Sequence, residues 1–521
     1  MVKYKDILYG GIYMRSKISD IIDIATSKSM TYQQKLFNMA NAAERLVDPQ
    51  ETLGYTNVEM MYIENEMICD LNEGYLPYRP RYIVPDYYVL LEKGCEFLDL
   101  KPPTDLDELL DSLLILYRHV PSITSFPVYI GDLDKLMEPF ITDMEKDYIK
   151  IKRFLNHVDK SIPDSFCHAD IGPEKTKAGE LILKAIIELE NTTPNMTIRY
   201  DKDITPRDFA LTAAEACLRV SKPSFSNDKK YCKDVGEHRL VSCYNALPHG
   251  GGAYTLPRLR LGTIVKDVTS LDELLNDKLP KVTKAMATMI DKRIRFIVEE
   301  SNFFQTSFLV KEGYLKRENF SAMFGMVGLA NAVNAILKLE GINEKYGTSK
   351  RGDEIGHAIM KVIEKIANEH EGVYCERTND RYLLHAQVGA SSSEEDLYNN
   401  PAHRVIVGEE PILPLHIKQA APFHEYFKSG TGDLFALDQT YLGKLDAVLD
   451  IIDGAFASGA RYITTYLHNT DLIRVTGYLV KKSEAKKAGE GQAILRNTDM
   501  LGYGTNKNAH VFERRLRKDE E

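Results

Sequence analysis

Near the C-terminal end, the run Arg474-Val-Thr-Gly-Tyr478 places a glycine where an unusual chemistry is open to it. A radical at a glycine α-carbon is delocalised over the two flanking amides, which weakens its C–H bond enough for reversible hydrogen transfer. A side chain would crowd that carbon and twist it from planarity, so only glycine gives the flattest and most stable radical. A thiol S–H has similar strength, so a cysteine beside Gly477 could relay the hydrogen at little cost. The plainer reading is a turn glycine after a strand, and the pentapeptide alone does not choose between the two.

Seven cysteines compete for the relay: Cys69, Cys95, Cys167, Cys217, Cys232, Cys243 and Cys375. Cys217 falls within a helical apolar pattern and reads as core. Cys69, Cys95 and Cys232 carry no catalytic context, and Cys167 before His168 suggests a functional pair only faintly and reads instead as a surface or packing residue. Cys375, adjoining Glu376, is the serious competitor. Cys243 is preferred because it ends a strand-like run, Leu240-Val-Ser-Cys243, and opens a polar, Gly-rich loop. Beyond it, Asn245 can hold a hydroxyl or carbonyl but cannot take a proton at neutral pH. His249, next to Gly250-Gly-Gly252, either orients polar groups of a substrate or simply caps a loop. Glu409 and Glu410 before Pro411 read as carboxylate bases or, preferably, as a solvated acidic turn.

Composition narrows the setting. The 521 residues are 44% hydrophobic and 27% charged, a globular balance with ample material for a large core. A net charge of -10, with basic residues dense only at Arg514, Arg515, Arg517 and Lys518, argues against a nucleic-acid partner. The start lacks a signal-peptide apolar region, and no run of about eighteen apolar residues exists. The expectation is a cytoplasmic protein with no membrane contact. Unpaired cysteines without a CxxC suit a reducing compartment and remove the usual thiolate zinc site, so no metal is expected.

The elements that must position these residues alternate between strand and helix. Strand-like segments are 196–200, 240–243 and 461–466; long helical patterns cover 206–220, 271–300 and 325–339. Residues 16–45 also read helical, and 104–117 read as a helix capped by Thr104. Residues 389–400 read as a polar surface loop. The alternation predicts α/β architecture with largely parallel strands, in one large domain over 1–521. Residues 470–521, richer in Gly and Lys, read as a more mobile C-terminal segment.

Several stretches together resemble the glycyl radical enzymes, which carry Arg-Val-x-Gly-Tyr in a C-terminal loop. Thr193-Pro-Asn-Met-Thr-Ile-Arg199 followed by Lys222-Pro-Ser-Phe-Ser-Asn-Asp228 is similar to a barrel segment that precedes their catalytic cysteine loop. The next cysteine at a strand end is Cys243. Gly251-Gly-Ala-Tyr-Thr-Leu-Pro-Arg258 resembles a segment of anaerobic ribonucleotide reductases, with a shorter Thr-to-Pro spacing. Gly325-Met-Val-Gly-Leu329 with Asn331 and Asn334 is similar to another shared helix. Cys69-Asp-Leu71, Pro102-Pro103 and Asp132-Leu-Asp-Lys-Leu136 resemble parts of the same reductase.

Departures from each branch sort the chemistry. Formate acetyltransferases use adjacent cysteines, where this chain has Ser242-Cys243. Diol dehydratases use Cys-x-Glu, where Cys243-Tyr-Asn245 stands here without the base. The four-cysteine zinc ribbon of anaerobic ribonucleotide reductases is missing, since residues 460–473 contain no cysteine. The chain is most similar to the YjjI family. The resemblance implies two half-barrels of parallel strands ringed by helices, with the Cys243 and Gly477 loops meeting inside. It also implies no bound cofactor, a post-translational glycyl radical on Gly477, and a radical S-adenosylmethionine activating enzyme with an iron–sulfur cluster as partner. The substrate would be a small polar molecule such as a diol, sugar or nucleoside, and homodimerisation is left open. Two alternatives stand beside this: a ribonucleotide reductase-like enzyme without the ribbon, and a radical-inactive structural or regulatory relative.

Overall fold

The computed structural model describes residues 18–71, 73–122, 126–386, 399–467, 471–474 and 477–496. His168–Ile171, Asn195–Tyr200 and Ser224–Asn227 lie side by side and parallel, linked by the helices Lys177–Leu189 and Arg207–Val220. Asp433–Leu437 and Tyr462–Leu467 form a second parallel pair around the helix Leu445–Ala457. The two sets meet antiparallel, Tyr462 opposite Ser226 and Ile463 opposite Phe225, to make one five-stranded sheet. The strands His168–Ile171 and Asn195–Tyr200 are buried along their whole length, on both faces.

Helices supply the burial. Arg207–Val220 buries Phe209, Ala210, Ala213, Ala214 and Cys217 at helical spacing, and each large apolar side chain so covered contributes about 1.5–3 kcal/mol. Cys217 is thus a core residue, as its pattern predicts, with Sγ 3.3 Å from the Thr465 carbonyl. Residues 271–300 are helical throughout, with a π turn at Leu274–Lys278 ahead of Pro280, whose missing N–H could not complete a regular helical ladder. Among the described residues, no helix is long and apolar enough to cross a membrane.

Several local expectations shift. Asp105, not Thr104, caps the helix Leu106–Tyr117 through the Glu108 N–H, while Thr104 bonds the Glu108 carboxylate. The helical pattern at the start breaks into Ile18–Thr26 and Tyr32–Glu44, the second opened by a Thr31–Gln34 capping box. Gly325 lies in the strand Met323–Val327, and the helix starts only at Leu329. A Cβ at Gly325 would stand 2.6 Å from the Pro257 carbonyl, so close strand packing requires glycine there.

The strand leading to Cys243 is His238–Val241 and stops two residues short of it. It pairs antiparallel with Asn245–Pro248, leaving Ser242-Cys243-Tyr244 as the hairpin turn. The expected Gly-rich loop beyond is instead the strand Gly251–Ala253, antiparallel to Tyr82–Val84 and parallel to Phe320–Ser321. A Cβ on Gly251 would meet the Asn319 carbonyl at 2.1 Å and one on Gly252 the Tyr82 carbonyl at 2.1 Å. These glycines serve strand approach. Of the expected surface loop at 389–400, all but Asn399 and Asn400 lies outside the described residues, and both of those are buried.

Candidate active site

Two chain segments far apart in sequence meet at one contact. A Cβ added to Gly477 would lie 1.9 Å from Cys243 Cβ, and 3.0 Å from both its Cα and Sγ. The three nearest atoms all belong to Cys243, so the α-hydrogen in that direction faces the cysteine side chain. Both residues are buried. Any residue but glycine would overlap the thiol-bearing carbon.

Arg474 explains its place in the motif. Fully buried, it donates from Nε (3.2 Å) and Nη2 (2.5 Å) to the Ser221 carbonyl, at the C-terminal cap of the helix Arg207–Val220. Its cation thereby meets the negative end of that helix. Nη1 donates to the Gly477 carbonyl at 3.0 Å, so the same guanidinium fixes the glycine. Tyr478 is buried edge-on against Phe166, with ring centroids 5.0 Å apart. The short antiparallel pair Leu472–Arg474 and Leu479–Lys481 frames the segment.

Asn195 joins the two loops. Its Nδ2 donates to the Gly477 carbonyl at 2.5 Å and to the Ser242 carbonyl at 3.3 Å, while Oδ1 accepts from Arg474 Nη2 at 3.2 Å. Ser242 has a φ of 61°, a left-handed conformation that costs a non-glycine residue about 1–3 kcal/mol. His168 Nδ1 also donates to the Ser242 carbonyl (3.2 Å), and its Nε2 sits 2.8 Å from Thr197 Oγ1. Burial holds His168 down to about 3, so the ring is neutral and Nε2 accepts the threonine proton. The strained turn that presents Cys243 is therefore held from outside by two side chains of neighbouring strands.

Cys243 itself is pushed up to about 11 by burial, partly opposed by the Tyr244 backbone N–H, the nearby Arg404 charge and the Asn245 amide. At neutral pH it carries an S–H, the form needed to pass a hydrogen atom. Asn245 Nδ2 lies 2.8 Å from the Val241 carbonyl and 3.6 Å from Cys243 Sγ. Its Oδ1 is buried with no partner among the described residues. His385, packed on the Tyr244 ring at 5.7 Å, donates from Nδ1 to the Ser429 carbonyl, leaving Nε2 as a second unpartnered buried acceptor.

The other expected residues go elsewhere. His249 follows Pro248 at the open end of the hairpin and is held by Asp86 (3.6 Å) and Glu237 (3.3 Å); the structure does not bring it to Cys243. Cys375 is buried near Tyr254 and Tyr382, where burial and Asp380 push its thiol far up. Glu409 pairs with Lys345, and Glu410 accepts the Gly408 N–H. Asn195, His168 and His385 were not singled out from sequence, since each acts through partners dozens to hundreds of residues away. The buried cluster His403, His424 and Asp433 does not suit a metal. The Arg461 N–H donates to His424 Nδ1 at 2.9 Å, so the ring proton is on Nε2 and is given to Asp433 at 2.7 Å.

The chain matches known proteins along nearly its full length. A family model described as glycyl radical enzyme YjjI-like matches residues 30–517. A Haemophilus influenzae protein is 64% identical over 509 residues, covering 98% of this chain and 99% of its own. The Escherichia coli protein YjjI is 40% identical over 502 residues, covering 95% of both. The anaerobic ribonucleotide reductase of Thermotoga maritima, solved with dATP and CTP, shares the fold with a TM-score of 0.68 at 10% identity, over 92% of this chain and 94% of that one. The parallel strand sets and surrounding helices are those of the glycyl radical enzyme barrel.

Proposed function

The chain belongs to the YjjI-like glycyl radical enzyme family, and we propose that Gly477 stores its radical while Cys243 brings that radical to a substrate. The observation that carries this reading is the contact itself, with the Gly477 Cβ direction ending 3.0 Å from Cys243 Sγ in a buried setting. A radical S-adenosylmethionine activating enzyme removes one α-hydrogen atom from Gly477. The glycyl radical then takes the hydrogen atom of the Cys243 S–H, giving closed-shell glycine and a thiyl radical. The thiyl abstracts a hydrogen atom from a substrate carbon. The product radical recovers that atom from Cys243, which is replenished from Gly477, and the glycyl radical is restored. Burial excludes water and oxygen from the pair.

Asn245 Oδ1 and His385 Nε2, two unpartnered acceptors by the cysteine hairpin, suit a small polar substrate bearing hydroxyl or amine donors. Without a glutamate two residues after Cys243, the diol-dehydratase type of proton removal has no base at that position. The test is anaerobic activation followed by electron paramagnetic resonance. The parent should give a doublet from the remaining Gly477 α-hydrogen, and Gly477→Ala should give none. The same doublet in Gly477→Ala protein would refute the assignment.

A further inference from the structure

The helix that leads into the cysteine hairpin carries a second constellation with different chemistry. Asp228 and Cys232 stand one turn apart on the helix Asp228–Val235, and so share a face. Gly236 ends the helix at a φ of 73° and reverses the chain, which brings His238, the first residue of the strand entering the Cys243 turn, against that face. Asp228 Oδ1 is 3.7 Å from His238 Nε2, and Asp228 Oδ2 is 3.7 Å from Cys232 Sγ. Ligand atoms of all three residues lie within 4.8 Å of one another.

The hydrogen bonds fix which atoms have lone pairs to give. His238 Nδ1 lies 2.9 Å from the Gly236 carbonyl, which can only accept, so Nδ1 carries the proton. Nε2 is then a buried bare lone pair, on a residue only 1% exposed, and it faces a carboxylate oxygen that is also an acceptor. Neither Nε2 nor Asp228 Oδ1 has a partner among the described residues. Two facing buried acceptors at this separation repel unless a cation, or a hydrogen donor, stands between them. Arg199 carries the charge that bears on Asp228 from the neighbouring sheet, but its Nη2 is given to the Gly172 carbonyl. His424 shows the contrast, since its equivalent proton already sits on the atom a metal would need.

We propose that Asp228, Cys232 and His238 form a site for a borderline divalent first-row cation, Zn2+ foremost. One oxygen, one thiolate sulfur and one imidazole nitrogen suit that ion, whose bonds of about 2.0–2.3 Å put neighbouring ligand atoms roughly 3.3–3.7 Å apart. His238 and the Gly236 carbonyl supply the ligand-and-orienter pair usual for a metal-bound imidazole. Cys232, the only exposed cysteine among the described residues, opens the site to solvent, where its proton leaves on binding and a water takes the fourth position. The expectation of no metal rested on the missing CxxC; here the fold assembles the donors across a helix and a strand. The ion ties the helix Asp228–Val235 to the strand that leads into the Cys243 turn.

Titrating chelator-stripped full-length protein with Co2+ alone, anaerobically, tests this. One equivalent should bind, with tetrahedral visible bands and a thiolate charge-transfer band, and Zn2+ should displace it. Cys232→Ser should lose the charge-transfer band, and His238→Gln and Asp228→Asn should each weaken binding at least tenfold. Should the buried His238→Gln fail to fold, Asp228→Asn and the exposed Cys232→Ser carry the same readout. No saturable binding, as expected if a water bridges the two acceptors, would overturn the proposal. So would parental affinity in Asp228→Asn and His238→Gln, the behaviour of an exposed thiol acting alone.

Discussion

Replacing Asn195 by alanine cuts the one side chain among the described residues that hydrogen-bonds both loops. Four hydrogen bonds converge on it: Nδ2 to the carbonyls of Gly477 (2.5 Å) and Ser242 (3.3 Å), and Oδ1 from Arg474 Nη2 (3.2 Å) and the Met196 N–H (3.0 Å). A neutral bond contributes about 1 kcal/mol and one to a charged group about 1.5–3 kcal/mol, so the upper bound is about 6 kcal/mol. Three partners keep another bond: Gly477 from Arg474, Ser242 from His168, and Arg474 to Ser221. The expected loss is therefore about 3 kcal/mol, or roughly a hundredfold in the folding constant. Urea unfolding of the non-activated protein reads it directly. In activated protein, exchange of the Gly477 α-hydrogen with deuterated solvent should slow as the two loops lose register. A stability loss below about 1 kcal/mol, together with unchanged exchange, would refute the role given to Asn195.

Gly477→Ala should also destabilise the non-activated protein, by about 1–3 kcal/mol in urea, because its methyl must be accommodated 1.9 Å from Cys243 Cβ. Oxygen should cut the activated chain and not the resting one, since it adds to the α-carbon radical and the peroxyl breaks the backbone. Mass spectrometry should find a fragment ending near Gly477, and an intact activated chain after air would count against the site. The proposed hydrogen relay needs the Cys243 S–H, which burial protects up to about 11. Solvent exchange should thus stay level from neutral pH to about pH 9 and fall as the pH approaches the raised thiol value. The same raised value means that the thiol's contribution to stability is complete below the ordinary cysteine range and is lost as pH rises through about 11. A fall in exchange centred at the ordinary thiol value would show that Cys243 is not the relay.

The candidate site was legible in the sequence where it is local and opaque where it depends on pairing. Gly477 stands out because the motif and the radical's electronic needs coincide on one residue. Strand and helix alternation around 195–227 is likewise local, and the parallel strands follow from it. Nothing local told that Cys243 sits in a turn, because Leu240-Val-Ser-Cys243 reads as continuous strand and the turn lacks the Asn-Gly signature of a tight hairpin. His249 looked close to Cys243 in sequence, but the hairpin sends it to the opposite end. Asn195 lies in the run Thr193-Pro-Asn-Met-Thr-Ile-Arg199, yet its role appears only when a partner 282 residues away arrives at its amide.

The central claim is that the radical on Gly477 reaches Cys243 and no other thiol. Activated protein transferred into deuterated buffer measures this without any known substrate, since exchange runs through the thiol and turns the glycyl doublet into a singlet. The parent and Cys375→Ser should both collapse to the singlet, whereas Cys243→Ser should accept the radical and keep its doublet, because an alcohol O–H is too strong to give up its hydrogen. Collapse in Cys243→Ser at the parental rate, or a doublet that persists only in Cys375→Ser, would contradict the account.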